Sequence, residues 1–122
     1  MRRIITMLTV GAVLLILSPG VAYAVTEKIC STTCKGTGDR DVLMGDEGDT
    51  HFYGFDKGDS ITDTAKDDAD TVKAGAGNDV INVREGGNSP KDVDIANCGA
   101  GDDTVYADAN DIVRSNCEVV HR

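Results

Sequence analysis

Two nine-residue stretches decide the fold of this chain: AGAGNDVIN at positions 74–82 and CGAGDDTVY at positions 98–106. Each runs from a glycine-rich turn through an aspartate, Asp79 or Asp103, to an apolar residue two positions later. In an extended segment residues i and i+2 face the same way, so the aspartate and the apolar residue share one face. Each stretch therefore predicts a turn followed by a short strand with its apolar side chain inside.

The same pattern recurs along the chain at a period close to nine. From Asp41, the equivalent polar position recurs after 9, 9, 11, 9, 15, 9 and 8 residues. These positions are Asp41, Thr50, Asp59, Asp70, Asp79, Asp94, Asp103 and Asp111, and the residues two places on are Leu43, Phe52, Ile61, Val72, Ile81, Ala96, Val105 and Val113. The 14 glycines disfavour helices by about 1 kcal/mol each. The period predicts an all-β fold, a right-handed parallel β-roll or β-helix solenoid.

These repeats resemble the G-G-x-G-x-D-x-U-x nonapeptide of the haemolysin-type (RTX) calcium-binding family. Positions 74–82 and 98–106 match it well apart from the first glycine, positions 45–53 and 54–62 match in part, and the resemblance covers about positions 36–114. It implies that two nonapeptides form one coil, that turns alternate between two sides, and that calcium lies between turns two repeats apart. Thr50, and Lys57 in place of a glycine, depart from the pattern.

The resemblance also implies a set of calcium ligands. One side would carry Asp41, Asp59, Asp79 and Asp103, and the other Thr50, Asp70, Asp94 and Asp111. Backbone carbonyls of the glycine-rich turns, with Gly75, Gly77, Gly99 and Gly101, would complete each shell. We expect the strongest position between the turns of Asp79 and Asp103. Because carboxylates stacked about 4.8 Å apart repel one another, folding is expected to depend on calcium.

Charge and the first residues predict where the protein acts. The formal net charge of −9 repels phosphate backbones, so we expect no nucleic-acid partner. Arg2 and Arg3, an apolar run at 4–17 and an A-x-A site ending at Ala24 predict a cleaved signal peptide at 1–24 and a secreted, extracellular protein. The run is shorter than the roughly 20 residues that span a bilayer, so no membrane association is expected after cleavage.

Four cysteines in an exported chain predict two disulfides, for which three pairings exist. We favour Cys30–Cys34, within an N-terminal segment at 25–35, and Cys98–Cys117, which would cap the end of the solenoid. The segment at 115–122 is expected to be a cap and a frayed tail. A zinc site is the alternative, but neither pair has C-x-x-C spacing and His51 and His121 are not placed to help.

The sequence favours a calcium-binding structural or interaction module over an enzyme. It contains no nucleophile elbow, P-loop or HExxH motif, and acidic pairs such as Asp67-Asp68 are typical of solvated faces or calcium loops. The stretch at 85–91 is interpreted as an insertion that keeps Asp94 in phase with Asp103. Two alternatives stay open: a metal-free solenoid with decayed repeats acting in adhesion or interaction, and a small secreted hydrolase. The protein or cell-surface partner is left undetermined.

Overall fold

The computed structural model describes residues 25–63, 65–66, 68–86 and 93–122, and the predicted signal segment lies outside these ranges. The described residues form strands, and they include no helix long and apolar enough to cross a membrane. The strands are β1 (Thr26–Cys30), β2 (Thr33–Lys35), β3 (Asp41–Gly45), β4 (His51–Phe55), β5 (Ser60–Thr62), β6 (Thr71–Ala76), β7 (Val80–Asn82), β8 (Ile95–Ala100), β9 (Thr104–Tyr106), β10 (Ile112–Val113) and β11 (Val119–His121).

Consecutive strands alternate between two parallel sheets. Sheet 1 has the order β1-β3-β5-β7-β9-β11, and sheet 2 has the order β10-β8-β6-β4-β2. Each coil of the chain thus adds one strand to each sheet, and every strand pairs in parallel with the strand one coil away. The result is an all-β solenoid of about five turns, which confirms the predicted β-roll or β-helix.

The core is a pair of facing apolar columns that run along the solenoid axis. In sheet 1, Leu43 pairs with Ile61, Ile61 with Ile81, and Ile81 with Val105. In sheet 2, Phe52 pairs with Val72 and Val72 with Ala96. All seven side chains are buried, while Val113 at the C-terminal end is half-buried. The period of nine therefore located the core, because successive repeats place their apolar residues in alternate sheets and every second repeat lies one coil further along the same sheet.

Strand register shows where the repeat length varies. Successive paired coils are offset by 18, 20 and 24 residues, as in Val42 to Ser60, Ser60 to Val80 and Val80 to Thr104. Four connections from sheet 2 to sheet 1, at 36–40, 56–59, 77–79 and 101–103, carry the glycine-rich turns, and we call their stack the glycine corner. A fifth such connection, at 114–118, follows them at the C-terminal end of the stack. The connections from sheet 1 to sheet 2, at 46–50, 63–70, 83–94 and 107–111, absorb the extra residues, and we call their stack the variable corner.

The paired strands extend beyond the predicted repeat region of 36–114 at both ends. β1 and β2 form the first coil within the segment at 25–35, and β11 pairs with β9 where a frayed tail was expected. That expectation was wrong because Val119–His121 can continue the ladder of sheet 1 without an aspartate turn. Both predicted disulfides are present, Cys30–Cys34 and Cys98–Cys117.

Candidate metal centre

A ladder of carboxylates runs along the glycine corner. The backbone N–H of Asp41 donates to Oδ1 of Asp59 (2.8 Å), that of Asp59 to Oδ1 of Asp79 (2.7 Å), and that of Asp79 to Oδ1 of Asp103 (2.8 Å). Glu118 ends the ladder, because its Oε2 accepts the N–H of Asp103 (2.9 Å). One carboxylate oxygen of each of these acceptors therefore receives a backbone hydrogen bond from the preceding coil.

A second ladder runs along the variable corner on the same principle. Oδ1 of Asp70 accepts the N–H of Thr50 (2.8 Å), Oδ1 of Asp94 that of Asp70 (2.8 Å), and Oδ1 of Asp111 that of Asp94 (3.1 Å). The hydroxyl of Thr50 donates to the carbonyl of Gly48. The structure thus places the two predicted sets of site residues on two separate corners, one preceding the strands of each sheet.

The second oxygen of several ladder carboxylates is left without a hydrogen bond. At the glycine corner, Oδ2 of Asp59, Asp79 and Asp103 is buried and has no hydrogen-bond partner among the described residues. The same holds for Oδ2 of Asp70 at the variable corner. Buried oxygens of this kind are costly unless a proton or a cation satisfies them. The ladders therefore present rows of oxygens that can accept a cation.

Burial opposes the ionisation of several ladder carboxyls. Desolvation raises the pKa of Asp59 to about 7 and that of Asp70 to about 8, although each accepts a backbone N–H, which acts in the opposite direction. Burial raises the pKa of Asp79 and Asp103 as well. Neighbouring carboxylates add to the effect, since the charge of Asp103 raises the pKa of Asp79. A bound cation would reverse these shifts by favouring the ionised form.

Glycine is required in the two later turns of the glycine corner because each stacks directly on the turn before it. Gly75, Gly77, Gly99 and Gly101 have φ values of 112°, 129°, 96° and 141°, a region that side chains rarely adopt. A Cβ built on Gly99 would overlap the carbonyl oxygen of Gly75, and one built on Gly101 would overlap that of Gly77. The predicted glycines thus bring backbone carbonyls of adjacent coils together beside the aspartate ladder.

One turn of this stack lacks the glycines. Phe55 pairs with Gly75, and the carbonyl of Lys57 faces Gly77, so Phe55 and Lys57 occupy the glycine places one coil earlier. Both adopt positive φ, 82° and 69°. Left-handed backbone costs a residue with a Cβ about 1–2 kcal/mol. This turn therefore keeps the shape of the others at a cost in stability.

A compact group of carboxylates lies at the variable corner. One oxygen each from Asp63, Asp68 and Asp70 lie within 4.8 Å of one another, and so do oxygens from Asp70, Glu85 and Asp94. Oδ1 of Asp68 is buried and lacks a hydrogen-bond partner among the described residues. Desolvation raises the pKa of Glu85 to about 9 and that of Asp94 to about 6. These residues could hold a metal ion.

Sequence reasoning missed four acidic members of these sites. Asp63, Asp68, Glu85 and Glu118 all lie off the aspartate register of the repeats. Asp68 is buried, although a solvated face was one interpretation of the acidic pair at 67–68. The usable signal for Asp63 was its place two residues beyond Ile61, where alternation demands an inward side chain. Glu85 was noted as the start of an insertion but not as a ligand.

The chemistry of these sites is that of hard oxygen donors. All four cysteines are in disulfides, and the side chains of His51 and His121 lie at exposed positions of their strands. The described residues thus offer the sites carboxylates and backbone carbonyls but no thiolate or imidazole. Oxygen donors suit calcium and magnesium rather than zinc or copper.

No protein-family model, curated protein or solved structure matches the chain.

Proposed function

We propose that the chain is a secreted calcium-binding solenoid of haemolysin-type repeats, whose folding depends on calcium and which acts as a structural or interaction module rather than an enzyme. The observation that carries this proposal is the row of buried Oδ2 atoms of Asp59, Asp79 and Asp103, which have no hydrogen-bond partner among the described residues. A calcium ion between successive turns would supply the missing partner, with carbonyls of the glycine turns as further ligands.

Calcium fits these positions better than magnesium. Calcium accepts 6–8 oxygens at roughly 2.3–2.6 Å in variable geometry, whereas magnesium demands six near 2.1 Å and keeps several waters. The glycine corner offers few carboxylates per coil but many closely stacked carbonyls, which favours the larger and more tolerant ion. The two disulfides agree with an oxidising compartment and so support secretion.

The metal-free alternative has one observation in its favour. Both ladders join adjacent coils through Oδ1 of an aspartate and a backbone N–H, and these hydrogen bonds need no cation. A solenoid with decayed sites would keep the ladders with protonated carboxyls. The two proposals therefore differ in what happens to stability when calcium is added, and not in the shape of the fold.

Calorimetric titration of the protein from residue 25 onward, with calcium and with magnesium, tests the proposal. Extracellular calcium modules bind with Kd values on the order of 10⁻⁴–10⁻³ M. Calcium at ten times Kd then stabilises the fold by about 1.4 kcal/mol per site. We expect several calcium ions per chain, weaker binding of magnesium, and a thermal midpoint that rises with calcium. A midpoint that is the same in chelator and in roughly 10 mM calcium, about ten times the upper Kd, together with no heat of binding, would select the metal-free alternative.

A further inference from the structure

The variable corner departs from the repeat in a way that the glycine corner does not. Between successive core residues from Phe52 to Val105 the glycine corner uses nine positions, as from Phe52 to Ile61 and from Val72 to Ile81. The variable corner uses 11 from Ile61 to Val72 and 15 from Ile81 to Ala96. These two longer connections follow one another in the stack, and Asp68 and Glu85 lie within them. The additional residues thus bring extra carboxylates to one place.

Asp63 adds a carboxylate where the core would otherwise be apolar. The positions one coil before and after it in sheet 1 are held by Gly45 and Val83, because Met44 pairs with Thr62 and Thr62 with Asn82. Asp63 is fully buried, and its Oδ1 accepts the N–H of Ala65 (2.9 Å). One oxygen of this buried carboxylate lies within 4.8 Å of oxygens of Asp68 and Asp70. Asp63 therefore belongs to the carboxylate group of this corner.

Asp70 connects the two halves of the carboxylate group. Its side chain is only 1% exposed, and its Oδ1 accepts the backbone N–H of Thr50. Its Oδ2 has no hydrogen-bond partner within the described part of the chain. Two oxygens bound to one calcium at about 2.4 Å can lie at most about 4.8 Å apart. The oxygens of each triad, Asp63–Asp68–Asp70 and Asp70–Glu85–Asp94, meet this limit. Asp70 belongs to both triads, so an ion held by either triad would share its carboxylate.

We infer that the variable corner is a two-calcium centre built by the insertions, with Asp70 bridging the ions, and this rests on the proposed calcium-binding function. When fully ionised, the five carboxylates carry a charge of −5, of which two divalent ions would offset four. The centre differs from the sites of the glycine corner, which rely on stacked carbonyls.

Counting bound calcium in five variants, one of them a control, tests the bridged pair. Equilibrium dialysis with metal analysis is performed at a free calcium concentration just sufficient to saturate the wild type. Asp68→Ala and Glu85→Ala should each lose one calcium, and the double variant should lose two. Asp70→Asn keeps the acceptor for Thr50 but places an NH2 group at Oδ2, so it should lose two by itself. Asp46→Ala, which removes an exposed carboxylate from the same corner, should lose none.

The outcomes separate this inference from the proposed function. If Asp68→Ala, Glu85→Ala and their double variant all lose the same single calcium, the corner holds one ion and the pair is refuted. If none of them loses calcium while Asp79→Asn does, the calcium-binding function stands and the corner centre is wrong. A wild type that binds no calcium overturns both. Should Asp70→Asn fail to fold, the Glu85 and Asp68 variants still decide, because both residues lie outside the two ladders. Among the described residues, Asp68 accepts only the N–H of Gly48 (2.9 Å), which Asp68→Asn preserves as a second test variant.

Discussion

Replacing Asp79 by asparagine should change the stability of the protein in opposite directions with and without calcium. The asparagine side chain can still accept the N–H of Asp59 through Oδ1, so the ladder survives. The amide nitrogen replaces Oδ2, which is buried and has no hydrogen-bond partner among the described residues of the wild type. The substitution therefore removes one buried negative charge and one calcium ligand without breaking the coil.

The size of the effect follows from the stacking of the coils. Parallel strands lie about 4.8 Å apart, and two charges at that distance repel by about 3 kcal/mol at an effective dielectric constant of 20. Partial protonation of Asp79, whose pKa is raised by burial and by Asp103, relieves some of this repulsion in the wild type. We therefore expect Asp79→Asn to stabilise the calcium-free protein by about 2 kcal/mol, which corresponds to roughly 10 °C in thermal midpoint.

Calcium should reverse the order of the two proteins. At a hundredfold excess over Kd, one site adds about 2.7 kcal/mol to the wild type, and the variant lacks this site. Thermal unfolding followed by circular dichroism in chelator and in calcium measures both differences. The control Asp56→Asn removes an exposed charge from the same corner, and it should neither stabilise the calcium-free protein nor reduce the stabilisation by calcium. If Asp79→Asn is no more stable than the wild type in chelator, or gains as much from calcium, the reasoning is refuted.

Three further predictions address proton linkage, the irregular turn and the cap. Because burial raises the pKa of Asp59 to about 7 and of Asp70 to about 8, the folded calcium-free protein binds more protons than the unfolded chain. Urea midpoints in chelator should therefore fall as pH rises from about 4 to 8. Midpoints that rise over this range would contradict the raised pKa values of these two carboxyls. Lys57→Gly should stabilise the protein by about 0.5–1 kcal/mol, because glycine adopts the φ of 69° without strain and its entropic cost is smaller than this gain. The control Lys66→Gly removes the same charge elsewhere and should not stabilise the protein. Equal urea midpoints for Lys57→Gly and the wild type would count against strain in this turn. Replacing Cys98 and Cys117 together by alanine opens a loop with a sequence separation of 19 and should destabilise the fold by about 3 kcal/mol in a denaturant titration, and an unchanged midpoint would remove the capping role of this disulfide.

The architecture could be predicted because a solenoid repeats one local pattern. Alternation within each strand places an aspartate and an apolar residue on the same inner face, and the period stacks them coil upon coil. Ile61 and Ile81 could therefore be assigned to the core and Asp79 to a corner without any structure. The even count of cysteines and their places at the two ends of the repeats led to the correct disulfides in the same way.

The carboxylate group of the variable corner could not be predicted from the period. Asp63, Asp68 and Glu85 belong to connections whose length differs from coil to coil. The distances between their carboxylates therefore do not follow from their spacing in the sequence. The ladders were missed for a different reason. An aspartate that bonds the backbone of the preceding coil has the same sequence signature as an aspartate that binds only metal. Glu118 fills a ladder place 15 residues after Asp103, a spacing found in no turn of the glycine corner before it.

Anomalous diffraction from crystals of the calcium-saturated protein locates the bound ions themselves. The calcium-binding proposal predicts a calcium peak at the glycine corner within about 3 Å of Oδ2 of Asp79 or Asp103, surrounded by carbonyl oxygens of the glycine turns. It would be contradicted by crystals grown in saturating calcium that show both ladders intact and anomalous peaks only at exposed carboxylates, with none beside the buried oxygens of Asp79 and Asp103.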